Sequence, residues 1–229
     1  MNVRIEFAYE PILFTRTGGV SAYEQLARLP GGRDAGWLAD LDREQRALLD
    51  AEACLLAERV ARKQKVPVSV NCFPENLDAT AYTVQDSPHL ALEAHQDVPV
   101  DELERIVRSY RRLWLVLDDV TDRKERFDKL LSSEWLPQKP LWIKLPVNRA
   151  ENTLYGGSAD LDLGASLPRA WTVIQEGVRS DEMFACWCRG MLYAQGRRLP
   201  GGFRAVSDLS LEMPIDCTET RERACAGSQ

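Results

Sequence analysis

A set of polar residues recurs along the chain at intervals that would suit one reactive site. Glu24 comes first, followed by Asn71, Glu93, the pair Asp118 and Asp119, Lys144, Glu176 and Gln195. From Asn71 onward the steps (Asn71 to Glu93 to Asp118 to Lys144 to Glu176 to Gln195) are 22, 25, 26, 32 and 19 residues, each about one strand–helix unit long. Glu24, Asn71, Glu93, Asp118 and Glu176 offer oxygen donors, a set that suits Mg²⁺ or Mn²⁺ and disfavours zinc. Two such ions about 4 Å apart clamp the attacking and leaving oxygens of a phosphodiester. Lys144, inside the ring, would neutralise a phosphate or position a water. A single polar residue at a strand end is most often a cap or a turn former. Its recurrence in successive units is what points to a site.

These residues need elements to position them. Val3 to Tyr9 alternates apolar and polar residues as a strand does, and Pro11–Phe14 and Val20–Leu26 flank a Thr17-Gly18-Gly19 turn signal. Leu41 to Arg62 reads as one long helix. Further strands are predicted at Val66–Asn71, His89–Glu93, Leu113–Leu117, Leu141–Leu145, Trp171–Gln175 and Met191–Ala194. Helices are predicted near Leu77–Val84, Asp101–Arg112, Asp122–Trp135 and Asp181–Arg189. Each polar residue from Asn71 onward falls in or just beyond one of these strands. The alternation predicts an α/β fold, a (β/α)8 barrel of the TIM type, which would carry all of these side chains to its C-terminal mouth. The opening hairpin implies one antiparallel strand. The barrel is expected over residues 1–206, with 207–229 a C-terminal segment whose end is flexible.

Composition narrows the function classes. The 229 residues carry 29 basic and 35 acidic side chains, a net charge of -6. That balance argues against a binder of long nucleic acid, but not against a small anion held through metal ions. No apolar run is long enough to span a membrane, and the first residues carry no signal-peptide pattern. Six Cys without a C-x-x-C pair and only two His (His89, His95) argue against a zinc finger or a disulfide scaffold, so a reducing cytoplasm is expected.

At these residues the chain resembles the EAL domain family, the cyclic di-GMP phosphodiesterases. Phe7-Ala8-Tyr9-Glu10-Pro11-Ile12 resembles the family's opening F-x-Y-Q-P-I block, and Glu24-Gln25-Leu26-Ala27-Arg28 its E-x-L-x-R signature. Val68–Asn71, Leu90–Glu93, Leu117-Asp118-Asp119, Trp142–Lys144, Gln175–Val178 and Ala194–Gly196 are similar, in order, to the family's later site strands. The resemblance implies a modified TIM barrel with one antiparallel strand. It implies one or two Mg²⁺ or Mn²⁺ ions on Glu24, Asn71, Glu93, Asp118 and Asp119. It further implies that Glu176 completes the second metal site or acts as base, that Lys144 holds water or phosphate, and that Gln195 orients a metal-bound group. Arg28 would contact a ligand phosphate and Leu26 would pack near a guanine.

The departures are equally specific. Gln96 stands where the family has a second Glu that anchors the loop after the Asp pair. That loop reads Val120-Thr121-Asp122-Arg123-Lys124 and lacks the family's two glycines. Arg179, Pro146 and Glu10 also depart from the pattern. Two functions follow from the resemblance. One is metal-dependent hydrolysis of cyclic di-GMP to pGpG, slowed by the altered loop. The other is an inactive receptor or protein-docking regulator, with a protein partner or a homodimer. The remaining features read as structural. Cys186 and Cys188 are expected as buried thiols, Trp114, Trp142 and Trp171 as barrel packing, Arg105–Arg112 as a solvated helix end, and the two His as structural. Arg197-Arg198 borders the expected mouth.

Overall fold

The opening hairpin is longer than its sequence signals suggest. β1 (Asn2–Phe14) runs through Pro11 and pairs antiparallel with β2 (Val20–Arg28), placing Glu10 opposite Glu24. The register shifts between Ile12 and Leu13, next to Pro11, and an irregular ladder is where a missing N–H is tolerated. The structure, a computed structural model, describes residues 2–29, 35–118, 124–146, 167–188, 192–196, 199–204 and 211–214.

From β2 onward every neighbour is parallel: β3 (Val68–Asn71), β4 (Leu90–Ala94), β5 (Leu115–Leu117), β6 (Leu141–Pro146), β7 (Trp171–Glu176) and β8 (Tyr193–Gln195) follow in sequence order. β8 then pairs antiparallel with β1, Ile12 opposite Gln195, and closes an eight-stranded barrel with one reversed strand. This is the modified TIM architecture expected from the alternation and the hairpin. β9 (Phe203–Arg204) pairs with the middle of β1 and β10 (Leu211–Pro214) with its N-terminal end. No periodicity marks β10 in the sequence.

The helices pack outside. α1 (Arg43–Gln64) starts at a capping box. Asp42 Oδ1 accepts from the Gln45 N–H at 2.8 Å, and Gln45 Oε1 accepts from the Asp42 N–H at 3.0 Å. Together they satisfy two donors that a helix start leaves open. α2 (Leu77–Val84), α3 (Val100–Ser109), α4 (Lys124–Ser132) and α5 (Met183–Cys188) follow. Three expectations shift. α3 ends at Ser109, so Arg111 and Arg112 lie beyond it in a turn. α5 is preceded by a 3-10 turn at Ser180–Glu182 in place of a helix from Asp181. Cys186 is buried as expected, but Cys188 is exposed. Between the sheet and the helices lies the main core, including Leu49, Leu56, Val60, Leu92, Leu103, Ile106, Leu117, Leu130 and Leu145. Each fully buried aliphatic side chain of this kind contributes about 1.5–3 kcal/mol.

The barrel interior is layered by the two-residue period of its strands. Ala22, Ala91, Val116, Trp142, Ile174 and Tyr193 belong to one apolar cluster with Ile12 and Trp114. Trp142 meets Trp114 edge-on at 4.8 Å and stacks on Tyr193 at 5.1 Å, filling that end of the barrel. Trp171 instead packs in the outer core, with its indole N–H donated to Leu136 O at 3.0 Å. Two residues beyond each member of the inner layer stand Glu24, Glu93, Asp118, Lys144, Glu176 and Gln195. An apolar layer below thus fixes a polar layer above.

Candidate functional site

Lys144 is the hub of that polar layer. It is 1% exposed. Its Nζ lies 3.0 Å from Glu24 Oε2, 2.5 Å from Glu93 Oε1, 3.5 Å from Glu176 Oε1 and 3.8 Å from Asp118 Oδ1. Four strands in addition to its own deliver these partners, so the cluster exists only when the barrel is closed. Asn71 Nδ2 donates to Glu24 Oε1 at 3.0 Å and to Gln25 O at 3.3 Å, while Gln195 Nε2 donates to Glu24 Oε2. Ser69 Oγ donates to Glu93 Oε2 at 3.1 Å, a buried contact that the sequence reading did not single out. Glu24, Glu93 and Gln195 are buried, Asp118 and Glu176 are half-buried, and Asn71 is exposed.

The electrostatics follow from one ammonium among four carboxylates. Burial raises the Glu24 carboxyl, but the Lys144 charge and the hydrogen bonds from Asn71, Lys144 and Gln195 bring it below its usual range. Burial and the neighbouring Glu24 charge push Glu93 well above its usual range, against the pull of Lys144. Burial alone would lower Lys144, yet the surrounding carboxylates hold it well above its usual value. The cluster therefore gathers more carboxyl groups than one ammonium can pair.

A cavity of about 590 Å³ opens beside this cluster. Glu24, Asn71 and Asp118 reach it from the polar layer, and Leu26 and Arg28 line it from the end of β2. Arg28 Nη1 donates to Ala27 O at 3.1 Å, and its Nη2 lies 4.0 Å from Glu10, the residue that departs from the family's Gln. His95 also lines the cavity. Its Nδ1 lies 3.2 Å from Asp97.

Asp50, on α1, was not anticipated. It is buried in the cavity wall, and its Oδ2 accepts from the Phe73 N–H at 3.1 Å and from Asn76 Nδ2 at 2.8 Å. Burial is the main reason its carboxyl is raised to about 7. An acidic residue between Leu49 and Ala53 on the buried side of α1 was the available signal. Cys54 and Cys72 lie nearby with their thiols pushed up by burial, so neither is an activated nucleophile.

The end of β7 and the end of β8 are locked together. The Val178 N–H donates to Gln195 O at 3.0 Å. A side chain at position 196 would meet Val178 O at 2.0 Å, so only glycine lets the two backbones approach this closely. This contact couples the turn after Glu176 to Gln195.

The site is assembled from Glu24, Asn71, Glu93, Asp118, Lys144, Glu176 and Gln195, with Leu26 and Arg28 in the adjoining cavity. Asp119, Arg197 and Arg198 lie outside the described residues, as do most of the loop after Asp118 and the 147–166 stretch. Among the described residues no three His, Cys, Asp or Glu side chains are spaced as ligands of a single ion, and the carboxylates converge on Lys144. In kind, however, the donors fit a hard cation. They are oxygens, their carboxyl groups outnumber the one ammonium, and the Gln195 Oε1 beside them is buried without a hydrogen-bond partner.

The fold is that of an EAL-type domain. Solved structures that superpose on it include a standalone EAL protein of Vibrio cholerae O395 in its cyclic di-GMP-bound form, with TM-score 0.57 and 19% identity over 86% of this chain and 91% of that one. The EAL domain of DcpA from Mycobacterium smegmatis matches with TM-score 0.57 and 20% identity over 97% and 98% of the two chains. BlrP1 of Klebsiella pneumoniae, in a calcium and cyclic di-GMP complex, matches with TM-score 0.63 and 20% identity over 91% of this chain and 58% of that one. The same protein is also known in a manganese complex. No family model matches the chain, and no curated protein matches it in sequence. Among the described residues no helix is long and apolar enough to cross a membrane.

Proposed function

We propose that this chain binds cyclic di-GMP with a divalent cation and hydrolyses it, slowly, to pGpG. The observation that carries the proposal is the buried cluster in which Glu24, Glu93, Asp118 and Glu176 surround Lys144 beside the cavity that holds Leu26 and Arg28. The ligation of solved EAL structures by calcium or manganese together with the dinucleotide supports it.

In this reading Glu24, Asn71, Glu93, Asp118 and Asp119 hold one or two Mg²⁺ or Mn²⁺ ions. When bound, these ions supply Lewis acidity to the phosphate and to a water. Asn71 and Gln195 orient Glu24 through the hydrogen bonds already present. Arg28 meets a phosphate, and Leu26 packs on a base. Glu176 takes the proton of the attacking water. The bond from the water oxygen to phosphorus forms as the P–O3′ bond breaks, the leaving 3′ oxygen takes a proton from solvent, and Glu176 returns its own proton to solvent. Lys144 offsets charge that builds on the phosphate.

A second reading, a receptor that binds without turnover, is favoured by Gln96 and by the loss of both glycines in the loop after Asp119. The test is incubation of purified protein with cyclic di-GMP and Mn²⁺ beside Glu24→Ala. Release of pGpG above that variant supports hydrolysis. No excess release overturns it, and calorimetry in Ca²⁺ then tests the receptor reading.

A further inference from the structure

α1 is apolar on two faces. Leu49, Ala53, Leu56, Ala57 and Val60 are buried against the barrel. On the opposite face Leu48 is 45% exposed and Leu55 is 55% exposed, and Ala47 and Ala51 are exposed beside them. Leu48, Ala51 and Leu55 recur at the three-, four- and seven-residue spacing that keeps side chains on one stripe of a helix. The small side chains allow another helix to approach to the 8–10 Å typical of packed helices. Scattered exposed leucines need no explanation. A stripe of them over two turns, on a helix already fully packed on its other side, is a different matter.

The charges bordering this stripe identify what covers it. Glu44 and Arg59 are exposed on the same face, and among the described residues neither makes an ion pair. Both lie equally far from the midpoint between Ala51 and Glu52, as do Leu48 and Leu55. A second copy of α1 laid antiparallel across that midpoint therefore sets Leu48 of each chain on Leu55 of the other. It also sets Glu44 of each on Arg59 of the other. One rotation satisfies both contacts twice, as a two-fold interface requires. Glu52 is the cost, because each copy lies near its own counterpart across the axis.

We propose that the chain forms a two-fold homodimer through antiparallel packing of α1. The cavity lies on the other side of the same helix, where Leu49, Asp50 and Ala53 line it, so the dimer leaves the cavity open.

Sedimentation of the intact chain from roughly 5 to 500 μM tests this. A concentration-dependent dimer is expected. Glu44→Arg alone, or Arg59→Glu alone, brings like charges together at both ends and weakens the dimer by roughly tenfold or more. The double variant Glu44→Arg/Arg59→Glu restores it, because each reversed charge again meets its opposite. Glu52→Gln tightens it. All three positions are at the helix surface, and circular dichroism confirms that the variants fold. A chain monomeric throughout the range overturns the proposal. So does a dimer indifferent to the single reversals, or one that the double reversal fails to recover.

Discussion

Lys144→Met removes the cation on which four carboxylates converge while keeping the side-chain volume. Glu24 and Glu93, 6% and 1% exposed, are then left facing each other without compensation. Removing one partner of a buried ion pair costs about 3–5 kcal/mol. In a chain of this length each kcal/mol moves the melting temperature by about 2–4 °C, so the midpoint falls by roughly 6–20 °C. The cost depends on pH, and its sign is fixed. Without Lys144 both carboxyls rise above their unfolded values of about 4.3. A raised carboxyl contributes stability below the unfolded value, and that contribution is lost as pH climbs through the folded value. The variant is therefore closest to wild type near pH 5 and furthest from it near pH 8. Urea unfolding at both pH values reads the difference. Mn²⁺ at pH 8 then restores part of the loss, since a cation between the carboxylates replaces the missing ammonium. A penalty below about 1 kcal/mol at pH 8, or one that is equal at both pH values, refutes the reasoning.

Other perturbations test separate parts of the account. Asp50, raised to about 7 by burial, contributes stability below about pH 4 that is lost as pH rises through 7. Asp50→Asn flattens that slope by about 2–3 kcal/mol between pH 5 and pH 8, read by urea unfolding at the two pH values. Gly196→Ala drives a methyl into Val178 O, 2.0 Å away. It costs about 1–3 kcal/mol in thermal unfolding and loosens Gln195 from Glu24. Arg28→Ala weakens cyclic di-GMP binding by roughly tenfold in calorimetry, while Mn²⁺ binding without nucleotide is unchanged.

The fold was legible because the strands alternate with helices and because polar residues recur at unit length. Leu77–Val84 and Leu141–Leu145 are predictable from local patterns since propensity, turn residues and burial agree there. The polar layer was equally readable, because each member sits two positions beyond an apolar residue facing the same interior. What the sequence could not show was how the members would meet. Lys144 is a lone cation on one strand, and only closure of the barrel surrounds it with carboxylates from four others. Asp50 lay hidden for a related reason. It reaches the cavity from a helix, outside the strand-end pattern that exposed the other residues. β10 escaped notice because its four residues gain strand character only by pairing with the far end of β1. The full length of β1 is hidden in the sequence because Pro11 reads as a strand break, while the adjacent register shift absorbs it.

The most direct measurement is a structure of the chain crystallised with cyclic di-GMP and Ca²⁺. The account predicts calcium density among Glu24, Asn71, Glu93 and Asp118, with a ligand phosphate near Arg28 and a base against Leu26. Nucleotide bound elsewhere, or an empty cavity at saturating ligand with Lys144 still holding all four carboxylates, contradicts it.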